Sequence, residues 1–454
     1  MKKCHSLSAF FLALILTAGL FSPAALAAEE DSFSVAATAA ILVEADTGEV
    51  LFEMDADEQR YPASITKVMT GLLAVEAIER GELTMDTLVT LGDDLYTGIG
   101  AGGSTQDLKT GEILTVRDLL NCALIPSANE ACNALASTVS GSIPAFVELM
   151  NQRAQELGMT NTHFMNTHGY HDDNHYTTAR DISYLCLEAM GHPEFRSIVS
   201  SGTYTVPPTN LHEEPRVLQD TNALVSESKT SGLRYQYAIG IKTGSTPEAG
   251  YCLASAAEKN HRVLIAVLLG GKYWYADGNY VEDNYFTESR RLLEYGYNHF
   301  SQKTVLDEIE PIGTIRVSLC KEQDYVTVQP ESSLYATLPN DIDPALFERN
   351  VSLPDSLQAP IEKGQVLGTI SISYEGRNFG PVNLVAATSL EKSTLLAVLD
   401  TLEQIFSLMW VKILLLVVIL MILILVLRRM VFGPSRRRNR RSRSYSSAYR
   451  GRKR

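Results

Sequence analysis

Ser64 and Lys67 stand three residues apart in Ser64-Ile65-Thr66-Lys67. On a helix those positions share a face, so the lysine amine can approach the serine hydroxyl. A serine is a poor nucleophile until a base removes its proton. Lysine serves as that base only when neutral; its ordinary pKa is about 10.4, and burial or a nearby cation lowers it. Two more short motifs follow in order. Ser127-Ala128-Asn129 comes after a break at Pro126 and offers a hydroxyl and an amide from a loop between helices. Ser127 can bridge two lysines and pass a proton to a leaving amine, while Asn129 can both donate to and accept from a substrate amide. Lys242-Thr243-Gly244 ends an apolar strand. Lys242 is the candidate second cation, and with Thr243 it can hold a substrate carboxylate. Gly244 leaves room for a substrate along the strand edge. The Ser245 N–H is an oxyanion donor to set beside the Ser64 N–H. Each motif alone is common by chance. In this order the three describe one acyl-transfer site.

The elements that must position these residues are legible in outline. Ala39 to Met54 reads as two strands around the turn Asp46-Thr47-Gly48-Glu49. A helix runs from near Ser64 to about Arg80, with Gly81 as its stop. Further helices are expected over Val116–Ala123, Glu130–Thr138, Ile143–Leu157 and Ser289–Phe300. Ala238–Lys242, Gly250–Ala257 and Arg262–Gly270 read as neighbouring antiparallel strands. From 302 to 388 the pattern changes to short alternating strands such as Thr314–Cys320, Tyr325–Val328 and Val366–Tyr374, a small separate all-β domain. Residues 389–409 read as an amphipathic helical stalk.

The two ends of the chain are read as targeting signals. Lys2 and Lys3, an apolar run from Phe10 to Leu20, and Ala25-Leu26-Ala27 describe a signal peptide over 1–27. Trp410 to Leu427 is apolar except for Lys412 and spans 18 residues. At about 1.5 Å per residue that reaches about 27 Å, close to a hydrocarbon core of about 30 Å. Arg428 and Arg429 end the span, and residues 428–454 form an acid-free, Arg-rich tail. Basic residues concentrate on the cytoplasmic side. Residues 28–409 are therefore expected outside the cytoplasm, with a single transmembrane pass and contact with membrane lipid. The net charge is −14, and every acidic residue lies in that outer part. Such a surface excludes bulk attraction of an acidic substrate and leaves that work to local cations. No nucleic-acid partner is expected, because the tail has charge without a binding fold.

Six cysteines are present, and Cys4 leaves with the signal. The remaining five have no pairing pattern, and four of them read as small buried side chains. His168, His171 and His175 cluster without H-E-x-x-H or C-x-x-C spacing, so a loop role is expected and no metal or cofactor is called for.

The three motifs together resemble those of the serine D-alanyl-D-alanine carboxypeptidases among the low-molecular-mass penicillin-binding proteins. Glu130-Ala131-Cys132 after the second motif resembles the carboxypeptidases more than the class A β-lactamases. Gly103-Ser104-Thr105, Leu108-Lys109-Thr110-Gly111, Asn166-Thr167-His168-Gly169, Thr178-Ala179-Arg180-Asp181 and Ala249-Gly250-Tyr251 extend the likeness over Ala39 to Phe300. The resemblance implies a β-lactamase/transpeptidase-like α/β catalytic domain over 28–301, its antiparallel sheet flanked by helices. It implies an acyl-enzyme on Ser64, formed from peptidoglycan stem peptides ending in D-Ala-D-Ala, and acylation of the same serine by penicillin and other β-lactam antibiotics. Tyr280 to Phe286 lacks the Lys or Arg that some relatives carry ahead of the closing helix, which leaves the substrate carboxylate to Lys242 and Thr243. The alternatives are a β-lactamase-like hydrolase, or a weakly catalytic penicillin-binding sensor or scaffold.

Overall fold

The computed structural model describes residues 33–226, 232–271, 275–276, 279–280, 284–321 and 323–432. The expected signal segment and the tail beyond residue 432 lie outside them, as do residues 281–283 ahead of the closing helix. The chain divides into two compact units, Met1–Gln302 with Thr337–Asp341, and Lys303–Ala336 with Ile342–Arg454.

In the first unit the interior strand β1 (Ala39–Glu44) is buried at all six positions. Ala39, Ile41 and Val43 enter one core, and Ala40 and Leu42 another. That is the period-two alternation of a strand with both faces covered. A turn with Gly48 at φ +70° returns the chain as β2 (Val50–Met54). Three longer strands complete an antiparallel sheet: β3 (Ala238–Thr246), β4 (Gly250–Lys259) and β5 (Arg262–Gly271), in the order β2-β1-β5-β4-β3. β3 is thus an edge strand, with one side paired and the other open.

One core is built from α1 (Lys67–Glu79), α2 (Val116–Leu124), α3 (Asn129–Ser140), α4 (Ile143–Glu156), α5 (Ala179–Gly191) and α6 (Pro193–Val199). α1 is apolar nearly all round, as suits a helix packed on every side. α2 starts with a capping box: Thr115 Oγ1 accepts from Asp118 N, and Asp118 Oδ2 accepts from Thr115 N, both at 3.1 Å. The second core lies under α7 (Asn284–His299), which supplies Tyr285, Phe286, Leu292 and Leu293.

The antiparallel sheet with flanking helices is as the sequence reading has it, but four elements differ. That reading has no helix between Gly158 and Tyr237, where α5 and α6 form. α7 begins five residues before Ser289. β3 continues to Thr246, so Lys242-Thr243-Gly244 lies inside the strand rather than at its end.

The second unit holds a six-stranded sheet of β6 (Gly313–Ser318), β7 (Tyr325–Pro330), β8 (Glu348–Ser352), β9 (Ser356–Gln358), β10 (Val366–Tyr374) and β11 (Arg377–Ala386). The order is β8-β10-β11-β7-β6-β9, antiparallel except for β6 with β9. Alternate residues such as Ile315 and Val317, Val326 and Val328, and Ile370 and Ile372 are buried. The stalk helix α8 (Thr394–Ser407) starts later than Ser389 because Ser393 Oγ caps it, accepting from Leu396 N at 3.3 Å. Leu408 is extended (ψ 129°) and separates α8 from α9 (Met409–Phe432). Met409–Val431 is long and apolar enough to cross a membrane. Its helix continues through Arg428 and Arg429, past the stop read from the sequence.

Candidate active site

Ser64 lies in a 3-10 turn, Ala63–Thr66, that runs directly into α1. Lys67 is the first residue of α1, so the three-residue spacing places the two side chains together. Lys67 Nζ is 2.8 Å from Ser64 Oγ and donates to the His168 carbonyl at 2.7 Å. Lys67 is 0% exposed. Burial pushes its amine down to about 8, while Cys132 and Glu130 act in the opposite sense. The cause is therefore desolvation rather than the second cation expected from the sequence.

The His168 carbonyl is held by its own loop. Asn166 Oδ1 accepts from Gly169 N at 2.7 Å and from His168 N at 3.3 Å, an Asx-type turn. Gly169 has φ +82°, and a Cβ there would fall 1.8 Å from the Ala63 carbonyl oxygen. Only glycine fits both demands. His175 bonds Thr66 through Nε2 at 2.8 Å, and burial drives its imidazole down to about 3. His168 is lowered to about 3 by burial and then by Lys67. His168 and His175 are thus neutral, structural side chains in the loop role read from the sequence. Among the described residues, Glu76, Glu188 and His192 form the one group with metal-ligand proximity. There the Arg153 guanidinium already bonds Glu76 at 2.8 Å and Glu188 at 2.5 Å.

The second motif follows α2. Ser127 has φ +71°, a left-handed conformation rare outside glycine. The surroundings fix it: Ala128 N donates to Cys122 O and Asn129 N to Ser104 O, both at 2.8 Å. α3 begins at Asn129, one residue before its expected start. Ser127 Oγ is buried and, among the described residues, has no hydrogen-bond partner. Ser127 therefore makes no hydrogen bond to either lysine, and Lys67 bonds Ser64 and His168 in place of the expected bridge.

β3 brings the third motif alongside. Lys242 is paired with Ala254 and Gly244 with Cys252, on the sheet face that meets α1. Lys242 is buried, and its Nζ donates to Thr243 O at 3.2 Å and approaches Thr221 Oγ1 at 3.5 Å. Thr243 Oγ1 lies 2.5 Å from Thr221 Oγ1. A Cβ on Gly244 would meet Ser64 N at 2.9 Å and Pro62 O at 3.0 Å. The space that glycine leaves is thus filled by the Ser64 turn, not kept for a ligand as the sequence suggested. Ser245 follows on the open edge and is exposed.

Sequence reasoning missed Thr221, Glu130 and the Thr66–His175 contact. Glu130 is 0% exposed; its Oε1 accepts from Gln106 N at 2.6 Å and burial raises its carboxyl. Gln106 belongs to the segment whose Ser104 carbonyl holds Asn129. A carboxylate after Asn129 gives no sign in sequence of being turned inward.

Comparison with known proteins points to one family. A family described as "D-alanyl-D-alanine carboxypeptidase" matches residues 24–273, and "Penicillin-binding protein 5, C-terminal domain" matches residues 300–392. The chain is similar to D-alanyl-D-alanine carboxypeptidase DacC of Escherichia coli, at 33% identity over 380 residues, covering 82% of this chain and 89% of that one. It is similar to DacF of Bacillus subtilis at 30% identity, covering 82% and 92%. Among solved structures, penicillin binding protein 5 from Haemophilus influenzae superposes with a TM-score of 0.62 at 27% identity, covering 79% of this chain and 99% of that one. With both of its domains matched and relatives aligned along most of their length, the chain belongs to the D-alanyl-D-alanine carboxypeptidases, a family of serine hydrolases.

Proposed function

We propose that Ser64 is the nucleophile and Lys67 its base, acting on peptidoglycan stem peptides that end in D-Ala-D-Ala. Neutral Lys67 takes the Ser64 proton as Oγ attacks the carbonyl of the penultimate D-alanine. The Ser64 and Ser245 N–H groups stabilise the oxyanion. Ser127 passes a proton to the nitrogen of the terminal D-alanine, and the C–N bond breaks. Asn129 holds the stem-peptide amide, while Lys242 and Thr243 hold the terminal carboxylate. Water then attacks the acyl-enzyme and releases the peptide one D-alanine shorter. Penicillin and other β-lactams acylate the same hydroxyl. The observation that carries this reading is the 2.8 Å contact between Ser64 Oγ and an amine that burial brings down to about 8.

In this reading residues 28–301 form the catalytic domain, 302–388 the β-rich domain and 389–409 the stalk. Residues 410–427 are a single transmembrane pass and 428–454 a cytoplasmic tail, with the catalytic domain outside a bacterial cell membrane. The apolar run of α9 and the basic residues after it support this topology. The test is D-alanine release from diacetyl-Lys-D-Ala-D-Ala by the full chain in detergent. Release that Ser64→Ala abolishes is the expected result; release that survives the substitution refutes the assignment.

A further inference from the structure

Three hydrogen bonds in series end on the peptide group that carries the Ser64 N–H. Met165 N donates to His175 Nδ1 at 3.1 Å. His175 Nε2 and Thr66 Oγ1 are 2.8 Å apart. Thr66 Oγ1 donates to the Ala63 carbonyl at 2.8 Å. The direction is set by counting donors. Thr66 spends its one proton on Ala63, so it accepts from His175, and Nδ1 is then free to accept from Met165. The two inner residues are buried, Thr66 at 0% and His175 at 2% exposure, while Met165 at the head of the series is 41% exposed.

The Ala63 carbonyl and the Ser64 N–H belong to one planar unit, so fixing the first orients the second. This peptide needs fixing, because Ala63 has φ +48°, a conformation that persists only where its surroundings over-determine it. The backbone is hemmed in on two further sides by the glycines at 169 and 244, whose absent Cβ atoms leave room for Ala63 O and Ser64 N. Those contacts block movement, whereas the Thr66 hydroxyl adds a directional side-chain bond that helps set the angle of the plane.

We infer that Thr66 and His175 are positioning residues, which aim the Ser64 N–H at the developing oxyanion without touching substrate. This rests on the proposed role of that N–H. A donor acts on the transition state only from the correct angle and distance, and small displacements cost large factors in rate. The contribution therefore appears in the acylation step and not in ground-state binding.

The experiment is stopped-flow acylation of the full chain by benzylpenicillin over a saturating range. It separates the acylation rate constant from the dissociation constant, with thermal melting run on each variant. Thr66→Val keeps the shape and removes the hydroxyl; Thr66→Ser keeps the hydroxyl. Thr66→Val is expected to lower the acylation rate constant by about 10- to 100-fold with the dissociation constant unchanged, and Thr66→Ser to restore it. His175→Phe, which removes both ring nitrogens, is expected to act as Thr66→Val does, and it decides the matter if Thr66→Val does not fold. Wild-type acylation rates in the folded valine or phenylalanine variant overturn the inference. So does a loss in Thr66→Ser equal to that in Thr66→Val. Absence of any acylation in the unsubstituted chain would instead overturn the proposed function itself.

Discussion

Lys67, the proposed base, shows how surroundings alone can bring an amine toward its neutral form. The α1 start, the His168 loop and β3 enclose it, and desolvation disfavours its charged form. The neutral amine is the reactive form, so the acylation rate constant should rise with pH and level off above about pH 8. A profile flat from about pH 6 to about pH 9 would contradict this assignment. The same shift has a consequence for stability. The folded chain binds fewer protons than the unfolded chain between about 8 and about 10.4, so this group favours folding more as pH rises through that window. Thermal melting across it should show the trend in the unsubstituted chain and lose it in Lys67→Met.

Among the elements, the Asn166–Tyr170 loop bears on the cleft and the buried Glu112–Arg216 pair on stability. Gly169→Ala would force a methyl into the Ala63 carbonyl from a positive φ. It should abolish penicillin acylation in whatever fraction folds; wild-type labelling would mean that the turn can move freely. Glu112 pairs with Arg216 in a buried bidentate contact at 2.7 and 3.1 Å. Glu112→Ala strands the guanidinium and should cost about 3–5 kcal/mol, measured by urea unfolding. How much was legible in sequence follows from the same elements. The α1 spacing, the β1–β2 turn and the three long strands show in local periodicity. The α5 start is also written locally: Thr178 Oγ1 accepts from Asp181 N at 3.0 Å, a cap the T-x-x-D spacing announces. By contrast, the left-handed Ser127, the inward-turned Glu130 and the use of Gly244 against the Ser64 turn arise from contacts between distant segments. No local pattern encodes them. The motifs at 64–67, 127–129 and 242–244 were each readable, but their hydrogen bonds to His168, Ser104 and Thr221 were not.

At the scale of the whole molecule, the chain joins a catalytic unit, a β-rich unit and an apolar helix, and the account assigns the chemistry to the first alone. A chain ending at Ser407 should therefore leave the membrane fraction while still releasing D-alanine; a truncated form that stays with the membrane would place the anchor elsewhere. The central claim is that one hydroxyl, activated by one buried amine, performs the acyl transfer. Peptide mapping by mass after incubation with benzylpenicillin tests it most directly. The account predicts a single penicilloyl group on Ser64, absent from Ser64→Ala and strongly reduced in Lys67→Met. An adduct on any other residue, or D-alanine release from a chain in which Ser64 is never labelled, would contradict it.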